Sequence, residues 1–444
     1  MKKVLIISYY WPPAGGIEVH RVVKFAKYLS SFGYEPMVLT VEGGTASASD
    51  PALCAEVADV APVVKAPSRE PHHLFYALTG KKQPQPSPEA KSTPQAPSAR
   101  EPARSRAHTL GEFIRLNVFI PDARIGWYPA AVRAGKDLIR TTRPDLIFST
   151  APPYTVHLIA AKLAKTFNIP WVADFRDPWV ENYAYNTQYR FPWVRWFNER
   201  MERRVLNRAD RVVVATPGQQ ILQGAKARDG EAKFLTLTNG HDFSELPDPV
   251  PSRYFYLSYF GSLSAQRVPE ALFDTLAEML RDDAAFAADF RFRFAGRITP
   301  EARKQITERL PEANCECHPM LPHHAYREKV IEHQVLLVFV DQVPHNDMIL
   351  PAKCLEMITT GNPMLAFGPR GGDVDRFLSQ HHGGHLVPFD NAPAIRSAIH
   401  QFWEHWRAGT LNQGARPVPE LHRRQLTQRL AALFDELLPP SGAD

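Results

Sequence analysis

MKKVLIISYYWPPAGGIEVHRVVKFAKYLSSFGYEPMVLTV, residues 1–41, decides the fold. KVLIISYY reads as a strand buried on both faces, because its apolar run is continuous rather than alternating. WPPAGG interrupts it with residues that favour a loop. IEVHRVVKFAKYLSSFG follows as an amphipathic helix, with Val19, Val22, Val23, Phe25, Ala26 and Leu29 mostly on one face and Gly33 closing it. EPMVLTV is the second strand. A strand, a crossover helix and a further strand make the unit from which parallel, doubly wound sheets are built.

The pattern recurs. PDLIFST (144–150), a helix over 157–167, PWVADF (170–175), a helical stretch around 192–208 and DRVVVAT (210–216) continue the first series. A second series begins with FYLSYFG (255–261), a helix over 270–283, FRFRFAG (290–296) and a helix over 301–311. VLLVFV (335–340), a helix around 353–361 and PMLAFG (363–368) extend it. The fold class expected is α/β, with two Rossmann-like doubly wound parallel-sheet domains. The first spans 1–245 and the second 246–418, hinged near the Pro- and Gly-containing stretch 238–253; a helix within 419–444 can pack back on the first domain. Residues 83–107 hold no branched aliphatic or aromatic side chain and are expected to be a flexible insert.

The chain's 444 residues, 44% apolar and 22% charged, allow two core-bearing domains. Four cysteines make no disulfide framework, and the Lys2-Lys3-VLII start is too short for a secretion signal. No window reaches the 18 or so apolar residues that span a bilayer. A cytoplasmic location follows, with at most peripheral contact at the inner face of the cytoplasmic membrane. The net charge of +5 suits an anionic substrate or a membrane surface as well as nucleic acid, and charge alone does not choose among them.

WVADFRDPWVENY (171–183) carries an apolar strand straight into Asp174, Arg176 and Asp177. Ligand crevices in open parallel sheets lie beyond the carboxyl ends of strands, which makes these charges active-site candidates. The competing reading is a helix start capped by Asp177 ahead of Pro178, with an ion pair to Arg176. Gly15 and Gly16 lie between strand and helix, where backbone amides can approach a phosphate or a sugar. GSLSAQR (261–267) leaves a strand and delivers Arg267, and Lys353 and Glu356 lie three apart on one helical face. Such a set offers cations for phosphate and a carboxylate for ribose hydroxyls.

Together these segments resemble the family 4 glycosyltransferases of the GT-B fold, in their bacterial polysaccharide and glycolipid form. The resemblance rests on YYWPPAGGIEVHR, IPDARIGW (120–127), PDLIFSTAPPYTVHL (144–158), PWVADFRDPW (170–179), LTNGHDF (237–243), YFGSLSAQR (259–267), FAGR (294–297) and LPAKCLEMITTGNPMLAF (350–367). It implies two domains facing a central cleft, a nucleotide-sugar donor held by the second, a glycan or lipid-linked acceptor on the first, and retention of anomeric configuration. Neither a metal nor any cofactor beyond the donor is implied. Gly16 matches the family's glycine loop. Gly261 and Arg267 match a Gly-Arg-Leu-x-x-x-Lys motif, with Ser262 at the arginine place and Arg267 at the lysine place. Glu356 matches the second glutamate of the family's paired-glutamate signature and implies a ribose contact. Met348 stands at the first, so Asp347 or Lys353 takes its role, and Gly372 joins the donor side. Arg176 occupies the place of a histidine near the reacting carbon, and His20 is a further acceptor-side candidate. Asp174 and Asp177 would position Arg176, the acceptor or the sugar. A sugar-nucleotide epimerase or phosphorylase of this fold, or a non-catalytic nucleotide-sugar-binding protein, is the alternative.

Other features are discounted. Asp373-Val374-Asp375 imitates a metal motif but lies where a helix should start, and Cys315-Glu316-Cys317-His318 lacks a second ligand cluster. The paired histidines at 72–73, 323–324 and 381–382 have no ligand spacing. Residues 189–211 hold seven arginines against three acids, with Trp193, Trp196 and Phe197 among them. Either 189–208 touches an anionic membrane or the aromatic side of this crossover helix is packed. No nucleic acid partner is expected.

Overall fold

The computed structural model describes residues 1–43, 48–49, 52–58, 60–69, 116–182, 191–242, 250–321, 323–412 and 418–438. The insert at 83–107 and the histidines at 72–73 lie outside them. The chain divides into two compact units, Met1–Asn239 with Arg423–Asp444, and Gly240–His422.

The first unit is wound on β1 (Lys2–Ser8), β3 (Tyr34–Glu42), β5 (Val63–Pro67), β6 (Leu146–Ala151), β7 (Trp171–Phe175), β8 (Arg211–Val214) and β9 (Phe234–Thr236). Their order is β5-β3-β1-β6-β7-β8-β9, parallel throughout. Two short strands, β2 (Ala14–Gly15) and β4 (Ala48–Ser49), pair beside this sheet. β1 shows why its run is apolar: Leu5 and Ile7 enter one core, Val4 and Ile6 the other. Val19, Val22, Val23, Phe25, Ala26 and Leu29 of the helix Ile17–Leu29 are all buried, in the same core as Val4 and Ile6. A 3-10 turn, Ser30–Phe32, ends at Gly33 with φ 84. The helix Arg423–Leu437 packs on Ile17–Leu29 and buries Leu426, Leu430, Leu433 and Phe434. At about 1.5–3 kcal/mol per buried large apolar side chain, those four are a substantial part of the unit's stability.

The second unit contains β10 (Phe255–Leu263), β11 (Phe290–Ile298), β12 (Cys315–His318), β13 (Val335–Phe339), β14 (Met364–Phe367) and β15 (Gly384–Val387), in the order β12-β11-β10-β13-β14-β15. All pairs are parallel. Both sheets have helices on two faces and reverse their winding once, between β1 and β6 and between β10 and β13. The doubly wound α/β architecture expected from the sequence is therefore present in each unit. The carboxyl ends of those four strands are where such sheets bind ligands.

Candidate active site

In the second unit, the chain leaving β10 turns through a 3-10 turn, Ala265–Arg267, that folds Arg267 back toward the switch point. Its Nη2 donates to Oδ2 of Asp341 at 2.7 Å, its Nε donates to Oδ1 of the same carboxylate, and its Nη1 donates to the Ser262 carbonyl at 3.3 Å. Asp341 follows β13, so the two strands flanking the switch point each supply one partner of this fork. Bidentate charge-assisted pairing fixes the guanidinium plane as well as its position. Sequence reading missed Asp341, although an acid directly after the apolar run VLLVFV repeats the signal that drew attention to Asp174.

Lys353 enters from the helix Ala352–Met357, and its ammonium donates to the Phe260 carbonyl at the end of β10. Burial, opposed by the Glu356 carboxylate and reinforced by the Arg267 charge, lowers its pKa from 10.5 to about 8. Gly261 makes this approach possible. A Cβ there would lie 2.7 Å from Lys353 Nζ, and the residue's φ of 144 suits glycine. Glu356, half-buried one turn on, sits near the half-buried Tyr326, whose enclosed hydroxyl is held well above its usual range by burial and then by the Glu356 charge. Two cations, one carboxylate paired to only one of them, and a second carboxylate thus converge in this unit.

Met348 is buried and Asp347 exposed in the 3-10 turn Asn346–Met348. Gly372 precedes the helix Asp373–Gln380 and lies so close to that turn that a Cβ would stand 2.9 Å from the Asp347 carbonyl oxygen. Asp373 is buried and pairs with Arg376 at 2.6 Å, while Asp375 accepts the Gly371 N–H at 2.7 Å. Both acids therefore hold the helix start. Cys315–His318 is the edge strand β12, where Glu316 engages Arg293 and His318. Among the described residues, no three His, Cys, Asp or Glu side chains converge as a metal-binding group.

The first unit treats its charges differently. Asp174 is wholly buried, still within β7. Its carboxylate accepts from Arg21 Nη2 at 2.7 Å, Arg21 Nε at 3.1 Å and the Thr150 hydroxyl at 2.7 Å. Arg21, itself buried, also donates to the Thr238 carbonyl at 2.9 Å. The expectation that Asp174 touches an acceptor or takes part in catalysis is corrected by this geometry. A strand covered on both faces keeps residue 174 inside, and Arg21 rather than Arg176 is its cation. Arg176, half-buried, donates to the Ala151 carbonyl at 3.2 Å and to the Pro152 carbonyl, tying the end of β7 to the end of β6. Asp177 is exposed in the loop that follows, and no helix begins at Pro178, so the capping alternative fails too. Trp179 instead turns inward, stacked on Tyr154 at 4.8 Å.

Gly16, with φ 111, is the residue before Ile17–Leu29, and Gly15 pairs with Ala48. His20 is half-buried in that helix's first turn. A buried histidine that sequence reading missed, His157, shares Ser149 with the Trp171 indole, at 2.9 and 2.8 Å. Burial lowers its pKa to about 3, which keeps it neutral.

Two parallel doubly wound sheets, the second with a cationic switch point, define the chain as an α/β protein of the GT-B class. Residues 15–223 match the glycosyl transferase 4-like domain. A glycosyltransferase from Rickettsia africae superposes on 99% of the chain over 99% of its own length, with a TM-score of 0.59 at 13% identity. HepE of Anabaena, in complex with UDP and glucose, covers 98% of this chain and 100% of its own, with a TM-score of 0.57 at 14% identity. The apo form of WaaB, a lipopolysaccharide outer core galactosyltransferase, covers 98% and 100%, with a TM-score of 0.58 at 13% identity. No curated protein sequence matches the chain.

Proposed function

We propose that the chain transfers a sugar, with retention of configuration, from a nucleotide-sugar donor to a glycan or lipid-linked acceptor in cell-surface polysaccharide or glycolipid synthesis. The observation that carries this reading is the pair Arg267 and Lys353 at the second unit's switch point, held by Asp341 and by the Phe260 carbonyl. Breaking a glycosyl–phosphate bond builds negative charge on the departing diphosphate. Cations fixed beforehand stabilise that charge without reorganising, an effect worth roughly 3–4 kcal/mol per donor group. Glu356 takes the ribose hydroxyls, and Gly261 and Ser262 leave room for the diphosphate beside them. Asp347 with Gly372 faces the donor sugar.

The leaving phosphate accepts the acceptor's proton, so a front-side displacement needs no protein nucleophile. HepE's complex with UDP and glucose supports a nucleotide sugar as donor. Acceptor binding falls to the first unit, through the Gly15–Gly16 loop and His20. Arg176 and Asp177 belong to that side, whereas Asp174 positions Arg21. Calorimetry with UDP, GDP and ADP, followed by NMR of the product's anomeric proton with cell-extracted acceptors, tests the proposal. Tight binding of one diphosphate and a retained anomer are expected. Failure to bind any nucleoside diphosphate would remove the donor site, and an inverted product would remove the front-side mechanism.

A further inference from the structure

The sequence left two readings of the arginine-rich crossover helix, and the structure separates them. The helix Pro192–Arg208 buries Val194, Asn198, Glu202, Val205 and Leu206. Its aromatic residues lie elsewhere: Trp193 is 50% exposed, Trp196 54% and Phe197 45%, and the preceding Phe191 is 43% exposed. These rings contact one another, Phe191 with Trp193 at 6.0 Å and Trp196 with Phe197 at 4.9 Å. At 100° per residue, Trp193, Trp196 and Phe197 share one stripe with Arg200, Arg203, Arg204 and Arg208, and all four of those arginines are exposed. The helix's two acids are withdrawn from the stripe. Glu199 pairs with Arg195 at 2.9 Å, and Glu202 is fully buried against Lys226 at 2.8 Å.

We propose that this stripe docks the protein on an anionic lipid bilayer, the aromatic end entering the headgroup region and the arginine end lying along it. Trp and Phe favour the boundary between water and hydrocarbon, and arginines near a negatively charged leaflet add attraction. Arg200 lies over the Trp196 ring at 5.7 Å from its centroid, so cation and ring can enter the interface together. A second copy is a poor occupant, since a two-fold contact through this stripe would set four arginines against four. The inference stands apart from the donor assignment, because none of its residues belongs to the cationic switch point.

The test is sedimentation of the full chain with phosphatidylglycerol–phosphatidylcholine vesicles and with phosphatidylcholine vesicles alone, together with tryptophan fluorescence. Binding to the anionic vesicles only, a blue shift, and weakening by salt are expected. Trp193→Ala/Trp196→Ala/Phe197→Ala, and separately Arg200→Gln/Arg203→Gln/Arg204→Gln, should each lower the partition coefficient by about tenfold or more. Nucleotide binding should stay unchanged in both, as these side chains are at the surface. Equal partition into neutral vesicles, no binding, or variants that bind like the parent chain would overturn the proposal. So would self-association or nucleic-acid binding that the same variants abolish while lipid binding persists.

Discussion

The two sheets reverse their winding in the same way, yet the charges near the two switch points do opposite things. In the first unit Arg21 and Asp174 neutralise each other in the interior, and Thr150 and the Thr238 carbonyl complete their hydrogen bonds. In the second, Asp341 pairs with Arg267 but not with Lys353, whose ammonium is held by a neutral carbonyl. The first arrangement closes on itself and holds strands and helix together. The second balances its charges only at a distance, Glu356 acting on Lys353 through space while the ammonium's hydrogen bond goes to a carbonyl, so a partly buried cation keeps capacity for an anionic ligand. The difference lies in how the charges are bonded: the first set is closed by direct hydrogen bonds between its ions, the second is not.

The sharpest way to break the comparison is to unbalance the first unit. Asp174→Ala leaves Arg21 buried without its carboxylate and should cost about 3–5 kcal/mol of stability, read by denaturant unfolding. A change under about 1 kcal/mol would mean that water reaches this pair. In the second unit the same kind of change should spare the fold and strike turnover. Lys353→Ala should lower kcat by roughly 10²-fold, with a shift in unfolding much smaller than that of Asp174→Ala. Equal loss of stability in both variants would erase the distinction.

Glu356→Ala should weaken nucleoside diphosphate binding by about 1.5–3 kcal/mol, with a smaller effect on kcat. Calorimetry beside steady-state kinetics separates the two. The pH dependence is gentler. With Lys353 near 8, its ammonium is present below that pH and lost above it. Diphosphate binding holds the proton on, so affinity should be level below about pH 8 and then fall by up to one decade per pH unit. Lys353's contribution to fold stability runs the other way. Between about 8 and 10.5 the unfolded chain keeps a proton that the folded one has released, so stability rises with pH in that window. Affinity that stays level through pH 9 would show that Lys353 does not meet the diphosphate. The smallest effect expected is none: if Arg267 and Lys353 meet the diphosphate as proposed, they replace a divalent ion there, and turnover should persist in excess EDTA. Loss restored by divalent ions would assign the leaving-group role to a metal.

Central strands were legible because burial on both faces forces continuous apolar runs, as in VLII of β1 and LLVF of β13. Edge strands were not. Of β5's five residues only Ala66 is buried, and β12 buries none, so neither shows an apolar run. The helix Tyr128–Thr142 escaped notice because part of its inner face is small: Gly135 lets Leu163 approach so closely that a Cβ would meet it at 2.5 Å. At the site, Arg267, Lys353 and Glu356 were found through motif spacing. Asp341 belongs to no motif and is 74 residues from its arginine. Asp174 was misread because a charge at the end of an apolar run looks the same whether it is the strand's own residue or the loop's first. Its partner Arg21 lies 153 positions away, beyond the reach of any local pattern.

The helix Arg423–Leu437 has a further consequence for how the protein is made. Phe434 lies against Phe148 and Tyr34, at 5.8 and 5.4 Å, in the same core as Val4 and Ile6. On the ribosome, the opening strands emerge long before the residues that cover them, and the whole second unit is translated in between. The part of this core beneath Leu426, Leu430, Leu433 and Phe434 therefore waits for residues 423–437, and stalled nascent chains ending before residue 423 should be cut by protease within the first unit far faster than the released protein. A shortened transcript would accordingly yield a failed amino-terminal half, however intact its own sequence.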